Sequence, residues 1–141
     1  MSEMTHKGQC HCGALGVEFR TSVPTDELTV RECQCSFCRK QGGRSCTDPN
    51  GHITFIAHDK SLLNRYRFGK KITDFLLCRG CGAYVGAVME IGGKLFATLN
   101  VNSLDGNPLG DRHGGHADYD GETATSAAER RARVWTPAEL R

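Results

Sequence analysis

Apolar positions recur at period two through the first two thirds of the chain. In "ALGVEFR" Leu15, Val17 and Phe19 fall on one side, and in "LTVREC" Leu28 and Val30 do the same. "HITFIAH" presents Ile53 and Phe55, and "LLNRYRF" presents Leu62, Asn64, Tyr66 and Phe68. Strict alternation is the signature of half-buried strands, because successive side chains leave opposite faces. The runs "ITDFLLC", "AYVGAVMEI" and "KLFATLNVN" predict further strands. Turn residues punctuate these segments: Pro24, "DPNG" at 48–51, "FGK" at 68–70 and Gly92-Gly93. With no amphipathic helix between them, short strands at this spacing predict a mainly β, antiparallel architecture.

The last third changes character. "SLDGNPLGDRHGGHADYDGETAT" is polar and glycine-rich and reads as a long loop or meandering edge. "TSAAERRARV" then predicts one short C-terminal helix, with Ser126 and Glu129 spaced as a capping box. Trp135 is expected to pack on the core. At 141 residues the chain fits one domain spanning 1–141. No apolar run approaches the roughly 18 residues that cross a bilayer, and the opening "MSEMTHKGQC" has no apolar leader. A cytoplasmic protein without a membrane partner is expected.

Eight cysteines change this picture. In an exported domain they would suggest disulfides; in a reducing compartment, metal thiolates are the better account. Seven fall in three clusters: "CHCG" at 10–13, "CQCSFC" at 33–38 and "CRGCG" at 78–82. Cys12 and Cys81 are each followed by glycine, the residue that allows the tight positive-φ turn of a metal knuckle. Two such knuckles make a closed four-sulfur tetrahedron, the usual structural zinc site, from Cys10, Cys12, Cys78 and Cys81. Cys33, Cys35 and Cys38 come from one segment, and Arg39 follows in place of glycine. Three protein ligands and an exchangeable position are the arrangement of catalytic zinc. Cys46 leaves an alternative: it is either the fourth ligand of a second structural site or a small buried residue.

The order C-x-C-G, C-x-C-x-x-C-R-K, C-x-x-C-G resembles the glutathione-dependent formaldehyde-activating enzyme family, also called the CENP-V/GFA domain. "YRF" at 66–68, "DFLLCRGCGAYV" at 74–85 and "LNVNSLD" at 99–105 support it, so the resemblance covers about residues 7–110 and leaves 111–141 as an extension. It implies a fold of the β-tent type and two zinc ions per chain: a structural one on Cys10, Cys12, Cys78 and Cys81, and a catalytic one on Cys33, Cys35 and Cys38. It further implies a carbon–sulfur lyase that joins a small-molecule thiol, with glutathione as co-substrate, to an aldehyde such as formaldehyde. The segment "GGRSCTDPNGHITF" departs from the family pattern, so the family name does not fix the substrate.

Charge adds little to this. The formal net charge of +2 would fall to about −1 with seven thiolates and two zinc ions in place. Basic and aromatic residues are not interleaved, which argues against nucleic acid. Arg39, Lys40 and Arg44 flank the three-cysteine cluster and are candidate anchors for an anionic thiol. His11 lies between two ligands and is expected to point away from the metal. His113 and His116 form H-x-x-H in the glycine-rich loop and are expected to face solvent. The competing reading is a zinc-stabilised protein-binding module in which both metals are structural. Oligomeric state is not legible at this level.

Overall fold

The structure, a computed structural model, describes residues 3–33, 35–69, 71–114 and 122–141, together with the backbone of 116–117. Its strands are β1 (Met4–Gln9), β2 (Leu15–Thr21), β3 (Glu32–Cys33), β4 (Ser45–Cys46), β5 (His52–Ala57), β6 (Leu63–Tyr66), β7 (Asp74–Cys78), β8 (Tyr84–Ile91), β9 (Lys94–Asn100), β10 (His116–Ala117) and β11 (Thr136–Leu140). Two α-helices accompany them, α1 (Ser36–Gln41) and α2 (Ala124–Val134).

The expected mainly β architecture is present, with one correction. The main sheet runs β1-β2-β5-β11-β9-β8-β7-β6, with β4 on β9, and it is mixed. β11 lies parallel to β5 while pairing antiparallel with β9, and β10 lies parallel to β3. The tail "WTPAELR", not assigned to a strand from sequence, thus supplies the joint between two halves of the sheet. Pro137 is tolerated there because the pairing changes partner around it. Thr136 and Pro137 face β9, whereas 138–140 pair with β5.

Alternation places the core. Leu15, Val17 and Phe19 of β2 and Ile53 and Phe55 of β5 are buried as the pattern requires, and Leu76 and Leu99 join them from β7 and β9. Leu28 and Val30 are buried too, from a non-strand segment. Gly86 makes this packing feasible. A side chain on it would lie 2.7 Å from the Phe55 ring and 2.6 Å from the Thr98 carbonyl oxygen.

β8 is buried on both faces over Tyr84–Met89. One face meets the main core; the other, with Ala87 and Met89, meets Trp135 and the apolar side of α2. Trp135 is therefore packed as expected, though in a second, smaller cluster. The cap of α2 also differs from expectation. Thr123, not Ser126, is the N-cap, and its side chain and that of Ser126 exchange hydrogen bonds with each other's backbone amides. α1 has no counterpart in the apolar pattern of the sequence. It is held by the Cys35 sulfur accepting from the Cys38 amide at its start and by Gly42 at φ 67° at its end.

Candidate metal centres

Cys10 and Cys12 lie in the β1–β2 turn, and Cys78 and Cys81 at the end of β7 and the turn after it. In strand order these turns belong to opposite regions of the sheet, yet all four sulfurs lie within 4.8 Å of one another. The glycines behave as their position in the sequence predicts: Gly13 has φ +85° and Gly82 φ +80°. Backbone amides then point at sulfur, from Leu15 to Cys10 at 3.3 Å and from Gly80 to Cys78 at 3.3 Å. A tetrahedron with Zn–S of about 2.3 Å has edges of about 3.8 Å. The Cys10–Cys12 and Cys12–Cys78 sulfurs are 3.8 and 3.5 Å apart, so the donor set fits such an ion. His11, between two of the ligands, is exposed.

Cys33, Cys35 and Cys38 also bring their sulfurs within 4.8 Å, from the end of β3 and the first turn of α1. Hydrogen bonds from Cys33 and Cys38 hold the Cys35 thiol far below its ordinary value, near 2. The same contacts, with burial added, push Cys33 and Cys38 up. Three sulfurs this close oppose one another's ionisation. A dication is the species that would let all three ionise. Among the described residues no fourth His, Cys, Asp or Glu joins this group.

Strand alternation turns Cys46 away from this group. On β4, Ser45 faces the three-sulfur side and Cys46 faces the main core, where it is 1% exposed. Burial raises its thiol to about 11, as expected for an inert core cysteine.

The three sulfurs open onto a cavity of ≈ 170 Å³. Phe68, Phe75, Tyr84 and Trp135 form its apolar wall. Phe37, between Cys35 and Cys38, stacks among the rings that hold α1 on the sheet. Its centroid is 4.6 Å from Phe75 and 5.2 Å from Tyr84. Tyr84 is 5% exposed, and burial holds its phenol protonated well above the usual range.

The cations expected at this site are not those the structure supplies. Arg44 is buried, and its guanidinium donates to Asn102 Oδ1 and to the carbonyls of Gly110 and Arg112, all at 2.8 Å. It fastens the 102–112 loop. Arg39 and Lys40 lie exposed on α1, and neither lines the cavity. Among the described residues the lining cations are Arg31, Lys71, Arg130 and Arg131. None could be found by nearness in sequence except Arg31. His113 is held by Glu32, with Nδ1 at 2.8 Å from Oε1, and the side chain of His116 lies outside the described residues.

The sequence profile of the glutathione-dependent formaldehyde-activating enzyme family matches residues 5–109. The chain belongs to that family. It is also similar to the crystal structure of a Rhodobacter sphaeroides protein solved as a structural genomics target. That likeness has 28% identity, a TM-score of 0.60, and coverage of 79% of this chain and 99% of the other. No described helix is long and apolar enough to cross a membrane.

Proposed function

We propose that this member of the family is a zinc-dependent carbon–sulfur lyase, joining a small-molecule thiol such as glutathione to formaldehyde or running the reverse cleavage. Cys10, Cys12, Cys78 and Cys81 hold a structural zinc in this reading, and Cys33, Cys35 and Cys38 hold the catalytic one. The observation that carries it is the contrast between the two sulfur groups. One has four donors and closes on itself, whereas the other has three and opens onto a walled cavity.

A zinc ion at the three-sulfur group would hold a substrate thiol as its thiolate, where a free thiol near pKa 8.5 is only a few per cent ionised at neutral pH. The chain's own residues do the rest. The aromatic wall keeps water from competing for the aldehyde. Adduct formation makes one carbon–sulfur bond, moves the carbonyl π pair onto oxygen, and returns to that oxygen the proton the thiol gave up. Tyr84, kept as a neutral phenol and lining the cavity, supplies a hydrogen bond to the oxygen as charge builds on it. The protein-binding alternative needs a closed second site, and Cys46, the residue that would close it, faces away.

The test is direct. Zinc-replete protein mixed with glutathione and formaldehyde should raise the rate of adduct formation above the spontaneous rate, followed by proton NMR of the hydroxymethyl group. A rate equal to the protein-free control, with both zinc ions present, would contradict the reading.

A further inference from the structure

Three buried side-chain polar atoms among the described residues lack any hydrogen-bond partner: His6 Nε2, Thr98 Oγ1 and Arg131 Nε. Two of the three belong to residues that line the cavity beside Cys33, Cys35 and Cys38. They come from unrelated elements, Thr98 from β9 and Arg131 from α2, so the coincidence is not a property of one local turn. Thr98 is only 7% exposed. Leaving a buried hydroxyl and a buried guanidinium N–H unpaired costs stability that a protein ordinarily avoids.

The rest of Arg131 is pinned. One terminal nitrogen donates to the Thr73 hydroxyl and lies 3.5 Å from Met89 Sδ, and the guanidinium carbon lies 4.7 Å from the centre of the Trp135 ring. The planar group is thereby fixed, with its Nε position left unused. Burial pushes the Arg131 pKa down, yet arginine stays cationic at any working pH. Among the described residues no Asp or Glu lines the cavity and no carboxylate forms an ion pair with Arg131; Glu122, which pairs with Arg130, reaches it only through its charge. A desolvated, immobilised cation without an ion-paired carboxylate among the described residues, lining the same cavity as an unpaired hydroxyl, is a receptor for an anion with two acceptor atoms.

We propose that Arg131 and Thr98 form a carboxylate-reading subsite, making this chain selective for thiols that carry a carboxylate over uncharged thiols of the same length. This rests on the thiol-binding reading above and narrows its substrate class. Arg131 and Thr98 are specificity-determining residues: they hold the far end of the thiol while its sulfur occupies the open metal position. A merely structural account is that Arg131 balances the negative charge of the three thiolates. That account predicts loss of zinc or equal weakening of every thiol when Arg131 is changed, and no role for Thr98.

The test uses zinc-replete full-length protein and matched probes: mercaptoacetate, 3-mercaptopropionate and 4-mercaptobutyrate, each against its primary amide, with binding measured by calorimetry. In the unaltered protein at least one acid should bind about ten- to a hundredfold more tightly than its amide, the span of one or two charge-assisted hydrogen bonds. Arg131→Gln should abolish that preference while leaving amide binding and zinc content unchanged. Arg131→Lys, which keeps the charge without the planar pair of N–H groups, should restore only part of it. Because Arg131 also packs on Trp135, Thr98→Val supplies an independent arm. It removes an unpaired hydroxyl at nearly constant shape, so it should melt at or above the unaltered protein and still lose roughly three- to tenfold in acid binding. Acid and amide binding equally well, or both variants weakening the two probes alike, would overturn the proposal. Failure of the open-metal reading shows differently, as no thiol binding at all. The inference is then judged on propionate against propionamide, and absent or Arg131-independent propionate binding overturns it.

Discussion

At the scale of single residues, a step of one position decides whether a side chain meets the three-sulfur cavity or the main core. Ser45 and Cys46 are neighbours on β4, and the pleat sends Ser45 toward the three-sulfur cavity and Cys46 into the main core. Cys46→Ala should therefore keep both zinc ions. It should cost about 1 kcal/mol, the transfer and cavity penalty for one buried sulfur, in chemical denaturation. Release of one zinc on that substitution, by elemental analysis, would make Cys46 a ligand and the second site structural. The cysteine grouping is legible because knuckle chemistry is local: one or two residues between neighbouring cysteines, and glycine after the second cysteine of two of the clusters. The cations were not legible in this way. Arg44 is near the cluster in sequence, but its side chain is spent on the 102–112 loop. Arg131 is remote in sequence and lines the cavity because the chain returns through α2.

At the scale of elements, β1 carries a titratable group the site does not use. His6 packs against Phe19, with ring centroids 6.0 Å apart, is 8% exposed, and has an unpartnered Nε2. Burial lowers its pKa below 6.5. The folded state then binds fewer protons than the unfolded state once pH falls below about 6.5, so stability drops as pH falls through that value. Denaturation midpoints from pH 7.5 to 5.5 should decline more steeply for the unaltered protein than for His6→Gln, whose side chain does not titrate; parallel declines would contradict the assignment. Elements were legible where their pattern was one-sided. The strands β2 and β5 read cleanly because each alternates. α1 is not legible because six residues held by a sulfur N-cap leave no apolar period. β11 was missed because Pro137 reads as a strand breaker. A signal for the second layer was nevertheless present, since "AYVGAVMEI" is almost continuously apolar. Such a run in a strand implies cover on both faces, which α2 and Trp135 provide.

For the whole molecule, the two sulfur groups sit differently in the sheet. The four-sulfur group joins turns that sit far apart in strand order, so an ion there would tie regions of the sheet that do not pair with each other directly. Metal binding at such a site is coupled to folding. Cys78→Ser should give insoluble protein or a melting midpoint far below that of Cys38→Ser, which disturbs only the segment from β3 to α1. The reverse order in thermal melts would contradict the division between structural and catalytic sites. The account stands or falls on the open position at Cys33, Cys35 and Cys38, and sulfur counting at zinc tests it most directly. X-ray absorption at the zinc edge averages over both ions. With four sulfurs at one and three at the other, the mean should be about 3.5 per zinc without thiol and should rise to about 4 on adding glutathione. A mean of 4 that glutathione leaves unchanged would show a closed second site and contradict the catalytic assignment.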